Sequence, residues 1–326
     1  MKRLPAWVRF TVNALFVIVP FLWIFGRIDY RGVIPAMQGV KWWTVAVQFS
    51  SVFVAMVLQG TRWWVLLRPF AANLTLRRAL SCHFRSLYYS LVLPNSTAQE
   101  VVRAVVMSKD TGKVVSWSAS WLCKLLGVLA LSGMSLYGLV TLSMREFSLP
   151  AILPAIIGAA VLMILAVGLS FSKRMTRPLR KIALRILPHT LVNKIEKIRE
   201  GVYRYRYQPR EVVISALLTL LTQFTIICGV SFTIAGITGS PYFTECMAFI
   251  PLIEIISMVQ PFTPNGVGVR DALYALMFSA LDLSSERLGI YIVISNLTIL
   301  LKLLGAVPVV KDAVCGGKGQ RKTRDT

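Results

Sequence analysis

Apolar runs of bilayer length are interrupted in this chain at two matching places, each a Pro-Asn step followed by charge. The first reads Leu93-Pro94-Asn95-Ser96-Thr97-Ala98-Gln99-Glu100-Val101-Val102-Arg103, and the second Thr263-Pro264-Asn265-Gly266-Val267-Gly268-Val269-Arg270-Asp271. Proline ends a helix by removing a donor and crowding the preceding turn. Lipid cannot satisfy the backbone groups this frees, so such a break survives only inside protein or beside a polar cavity. Two broken segments in corresponding halves are the sequence mark of a transporter's midplane site. Asn95 and Asn265 are therefore expected near the middle of the bilayer.

The composition agrees with a membrane setting. The chain of 326 residues is 56% hydrophobic, and its mean hydropathy is +0.65. Runs of about 20 apolar residues span a bilayer. Such spans are expected over 8–26, 42–67, 114–142, 150–172, 211–236 and 287–310, with the broken segments at 79–111 and 243–283. The expected fold is all-α and integral to the membrane: about six full transmembrane helices plus two opposed re-entrant helical hairpins in an inverted repeat. Full crossing by 243–260 and 267–283 is the alternative, and loop charge does not separate the two. One membrane domain covers 1–312, with halves 1–172 and 211–312 joined by a basic linker, 173–210; residues 313–326 read as a disordered basic tail.

The formal charge is +22, from 36 basic and 14 acidic residues. The excess sits in short loops between apolar runs, which is the positive-inside pattern rather than a nucleic-acid footprint. Twelve Lys and Arg lie in 173–210 against Glu196 and Glu200 alone. That loop and both termini are expected in the cytoplasm of a bacterial-type inner membrane. Lys2 and Arg3 precede an apolar stretch as in a signal peptide, but no small-residue cleavage site follows, so an uncleaved first helix is expected. Val192, Ile195, Ile198, Val202 and Tyr205 recur at helical spacing. They describe either a helix lying on the inner leaflet or a solvated basic loop.

Charges inside apolar runs single out candidate site residues. An Arg, Lys or Asp at a helix centre costs about 2.5–3.5 kcal/mol on insertion, so such groups pair or face a polar cavity. Lys124, flanked by Leu122-Cys123 and Leu125-Leu126, is the strongest case, and Glu254 is another. Arg62 and Lys302 either snorkel or point inward. Glu100 and Arg103 are three residues apart and share a helical face, which suits an internal ion pair. Arg270 and Asp271 are adjacent, point about 100° apart on a helix, and so need other partners; cross-pairing between the hairpins is the economical arrangement. A helix starting after Pro264-Asn265 also turns free N–H groups and positive dipole toward the midplane. With Arg270 and Lys124, this favours an anionic guest such as a lipid phosphate.

Enzyme chemistry is poorly represented. The histidines are His83 and His189 alone; H-E-x-x-H, G-x-S-x-G and the P-loop pattern are absent, and Gly266-x-Gly268 lacks the third glycine of a dinucleotide motif. His83 is expected to be packed rather than catalytic. Cys82, Cys123, Cys228, Cys246 and Cys315 are scattered and suggest neither a disulfide framework nor a metal site. No cofactor is expected.

The chain resembles the lysylphosphatidylglycerol synthase transmembrane-region superfamily, the flippase-like integral membrane proteins. The resemblance runs over about residues 5–312: Asp29, Arg62-Trp63, the Pro94–Arg103 segment, Lys124-Leu125-Leu126-Gly127, Pro264–Asp271 and Lys302-Leu303-Leu304-Gly305. Its most specific part is the second break. In the first, Ser96-Thr97-Ala98-Gln99 stand where glycines are usual before the acidic residue, and Lys124 stands where Arg is common. The resemblance implies opposed re-entrant helices that move or bind lipids or lipid-linked substrates. The aminoacyltransferase domain of the bifunctional synthases is lacking here, so lysyl transfer is not expected.

Three functions stay open at this point. The chain is a flippase for an anionic lipid or lipid-linked sugar, a non-transporting lipid-binding partner of a membrane glycosyltransferase or lipid synthase, or an integral membrane lipid transferase. In the first, Lys124, Arg270 and Arg103 contact the headgroup while Glu100 and Asp271 hold the basic groups. Asn95, Asn265 and Glu254 complete the expected site. Membrane lipids are the expected partners, together with a second copy of the chain or a membrane enzyme.

Overall fold

In the computed structural model the residues described are 39–91, 98–143, 157, 189–259, 269–279 and 285–310. The spans expected at 8–26 and, apart from Ile157, at 150–172 lie outside them. So do Pro94, Asn95, Pro264, Asn265 and the basic tail. Everything described is helix and short connection. Among the described residues, four helical stretches are long and apolar enough to cross a membrane: Trp42–Phe70, Lys113–Leu142, Pro209–Thr238 and Gly289–Val310. The class expected from hydropathy is met.

The helices are α1 (Trp42–Leu67), α2 (Leu76–Ser90), α3 (Ala98–Thr111), α4 (Lys113–Ser143), α5 (His189–Arg204), α6 (Pro209–Thr238), α7 (Phe243–Val259), α8 (Val269–Ser279) and α9 (Ser285–Leu297). A 3-10 stretch, Thr298–Gly305, follows α9. Local chemistry sets several ends. The Thr75 hydroxyl accepts from the backbone N–H of Arg78 at the start of α2. Gly112, at φ +83°, separates α3 from α4, and Gly239, at φ +90°, closes α6 in the left-handed conformation. The apolar segments that carry the Pro-Asn steps hold the described helices 76–90 and 98–111 in the first and 243–259 and 269–279 in the second.

The two halves interlock through small and polar residues, as helices in lipid must when apolar contact alone gives no preference for a partner helix. α1 and α6 run antiparallel. Ser51 lies on Gly229 and Thr44 on Gly236, places where a Cβ would collide. Thr233 donates to Gln48 Oε1 at 2.9 Å. The broken pairs cross over to the opposite half. α7 packs on α4, where a Cβ at Gly138 would come within 2.5 Å of the Ala248 nitrogen, and Ser135 donates to the Ala248 carbonyl at 2.9 Å. In reciprocal fashion α2 packs on Thr298–Gly305, with Gly305 set directly against the Phe84 carbonyl. α2 of the first half thus rests on Thr298–Gly305 of the second, and α7 of the second half on α4 of the first.

α5 corrects one expectation and answers another. The helix suggested by Val192, Val202 and Tyr205 is present, but its apolar face is buried against protein rather than laid on lipid. Ser118 of α4 donates to the Ile198 carbonyl at 2.9 Å, and Gly201 lies on Ser118. Tyr205 donates to the Leu66 carbonyl at 2.9 Å, and burial pushes its phenol pKa up. Outward, α4 and α6 expose Leu136, Tyr137, Val140, Val213, Leu217 and Phe232, the surface of a helix facing hydrocarbon.

Candidate functional site

A cavity of about 280 Å³ lies where α1, α3, α4, α7, α8 and Thr298–Gly305 converge. Its lining includes five basic residues, Arg62, Arg103, Lys124, Arg270 and Lys302, and two acidic ones, Glu100 and Glu254. Five of the site residues expected from sequence are therefore brought together: Lys124, Arg103, Arg270, Glu100 and Glu254. Asp271 is joined to the group through a neighbour. Asn95 and Asn265 lie outside the described residues. Arg62 and Lys302 turn inward to the cavity instead of snorkelling to an interface.

Each cation is placed by a different device. Arg62, on α1, donates through Nη1 to the Thr219 hydroxyl of α6 at 3.0 Å, and its guanidinium reaches over Gly127, one turn on from Lys124. Arg103, 2% exposed, stacks over the Trp63 ring at 4.6 Å from the centroid. The expected Glu100–Arg103 ion pair is not formed, and neither is cross-pairing of Arg103 with Asp271. The indole face holds the guanidinium in place, a contact worth about 2 kcal/mol when desolvated. That leaves the Glu100 Oε2 atom buried with no hydrogen-bond partner among the described residues.

Arg270 and Asp271 meet on one amide. Arg270 Nη2 donates to Asn296 Oδ1 at 3.1 Å, and Asn296 Nδ2 donates to Asp271 Oδ2 at 3.1 Å. An asparagine on α9 thereby does what cross-pairing between broken segments was expected to do. Its signal in the sequence was an amide inside an apolar span, and Gln48, Gln59 and Gln223, which line the cavity, carry the same signal.

Among the described residues, Arg62, Arg103, Lys124 and Arg270 form no ion pair. Among the same residues, Arg62 Nε, Arg103 Nε, Arg270 Nε and the Ser257 hydroxyl are buried with no hydrogen-bond partner. The helices α3 and α8 begin at this cavity, since Gln99 and Glu100 of the first and Arg270 of the second line it. Their N-terminal ends add positive potential. No group of three or more His, Cys, Asp or Glu able to hold a metal occurs among the described residues. His83 is fully buried, set against Gly60 and edge-on to Phe84, a packed histidine as expected.

An all-helical, multi-pass membrane protein with a cationic interior cavity is the class that this architecture defines. The chain belongs to the family described as lysylphosphatidylglycerol synthase TM region, whose model matches residues 10–305. Comparison with curated proteins and with solved structures gave no match.

Proposed function

We propose that the cavity receives the anionic headgroup of a membrane lipid or lipid-linked substrate, and that the protein carries it across the bilayer without acting as an enzyme. The observation that supports this reading is that four cations of the cavity, Arg62, Arg103, Lys124 and Arg270, form no ion pair among the described residues. Buried charge without a counter-charge is costly, and membrane proteins keep it where an ion or substrate passes. The two broken segments act as opposed re-entrant hairpins, and movement between them opens the cavity to one leaflet and then the other. Arg103, Lys124 and Arg270 hold the headgroup; Glu100, Glu254 and Asp271 keep the basic groups apart and oriented.

Lys124 gives the direct test. Its partner in this reading is the substrate, so Lys124→Met should melt with the parent protein in detergent yet bind anionic lipid at least about tenfold more weakly, or about 1.4 kcal/mol. Lys124→Arg keeps the charge with altered geometry and should retain much of the binding. A Met variant that binds like the parent, or loses binding only by unfolding, removes Lys124 from the site.

The orientation belongs to the same proposal: an inner membrane, with both termini and 173–210 on the cytoplasmic side. Cysteines placed at Lys181 and Thr326 should resist a membrane-impermeant thiol reagent added to intact cells. Efficient labelling at either position overturns the orientation.

A further inference from the structure

We propose that the headgroup this cavity takes is a phosphoryl group bearing two or more negative charges, a phosphomonoester or diphosphate, rather than a singly charged phosphodiester. The inference rests on the headgroup-binding reading above and narrows its substrate class.

Charge is the first ground. Among the described residues lining the cavity, basic ones outnumber acidic ones five to two. Asp271, just beside it, shares its Asn296 amide with Arg270, so it adds one carboxylate at most to the balance. A guest with a single negative charge still leaves one or two positive charges uncompensated in a low-dielectric interior, where uncompensated charge is expensive. A dianion or trianion brings it close to neutrality.

Hydrogen-bonding capacity is the second ground. Arg62, Arg103 and Arg270 each hold a buried Nε–H that has no acceptor among the described residues, and the Ser257 hydroxyl is likewise unclaimed there. Arg103 is 2% exposed, so water does not serve it freely. Guanidinium forks match phosphoryl oxygens, and donors spread around a cavity call for a ligand with many acceptors. A terminal phosphoryl group offers three strong acceptor oxygens, a diphosphate more, and a phosphodiester only two unbridged ones. The third ground is placement. Arg62, Arg103 and Lys124 come from the first half of the chain, and Arg270 and Lys302 from the second. A multiply charged group can engage both halves at once, and those halves are the bodies that must move past each other.

Phosphatidic acid and phosphatidylglycerol with identical hexanoyl chains differ in this property, one ending in a phosphomonoester and the other in a phosphodiester. Binding of each to the purified full-length protein in a neutral detergent at pH 8 is the measurement, with farnesyl diphosphate and inorganic pyrophosphate alongside. Phosphatidic acid should bind at least about tenfold more tightly than phosphatidylglycerol, with farnesyl diphosphate at least as tight as phosphatidic acid. In Lys124→Gln the preference should shrink to about threefold or less, while Arg270→Lys, which keeps the charge, should preserve it. Equal or tighter binding of phosphatidylglycerol overturns the inference and leaves the headgroup reading standing. Failure of all the lipids to bind removes both. Pyrophosphate binding as tightly as farnesyl diphosphate upholds the charge class but makes a soluble anion the source.

Discussion

Gly138→Val should cost about 3 kcal/mol of stability in detergent, near the upper end of what overpacking a tight contact does. A Cβ at Gly138 would sit 2.5 Å from the Ala248 nitrogen and 2.7 Å from its Cα. These are backbone atoms of α7 and have no rotamer through which to give way. Gly133, five residues earlier on the same helix, has nothing within 4 Å of such a Cβ. Gly133→Ala should therefore gain about 0.5–1 kcal/mol through reduced backbone freedom in the unfolded chain. The two substitutions move thermal unfolding in opposite directions if the α4–α7 contact is as described. Parallel shifts, or a Gly138→Val variant that melts with the parent, contradict it.

Asn296→Leu should be comparably damaging, at about 3 kcal/mol, because it removes a hydrogen bond from each of two charged side chains at once. The buried Arg270 guanidinium loses the acceptor on its Nη2 atom, and Asp271 loses a donor. The discriminating variant is the triple replacement Arg270→Leu, Asp271→Leu, Asn296→Leu. Exchanging a whole buried polar cluster for apolar groups is often neutral or stabilising. It should restore much of the melting temperature lost in Asn296→Leu while binding of anionic lipid stays absent. If the triple variant binds lipid like the parent, Arg270 is no part of the site. If Asn296→Leu alone melts like the parent, the amide bridge contributes nothing.

Hydropathy made most of the scaffold legible. The span expected at 42–67 coincides with α1, and those at 114–142 and 211–236 fall within α4 and α6. Lys124, Arg103, Arg270, Glu100 and Glu254 were marked as charges with no place in lipid, and all five line the cavity. What stayed hidden depends on contacts between distant residues. Arg103 is three residues from Glu100 and forty from Trp63, yet the indole is what it touches. Spacing along a helix identifies who could pair, while packing decides who does. Asn296 was missed because charge drew attention away from neutral amides. Arg62 and Lys302 were left between snorkelling and burial because depth depends on tilt and neighbours. The apolar face of α5 was visible as a pattern, but a pattern does not say whether lipid or protein covers it.

The exchange of broken helices between the halves has a consequence for how the protein comes to exist. α2 is completed by Gly305, more than two hundred residues further along, and α7 is completed by α4, made long before it. The flank of α2 that meets Gly305 therefore lacks that contact until Thr298–Gly305 has been made. Assembly is a single late closure rather than two successive ones, and the cavity, lined from both halves, comes into being only at that step.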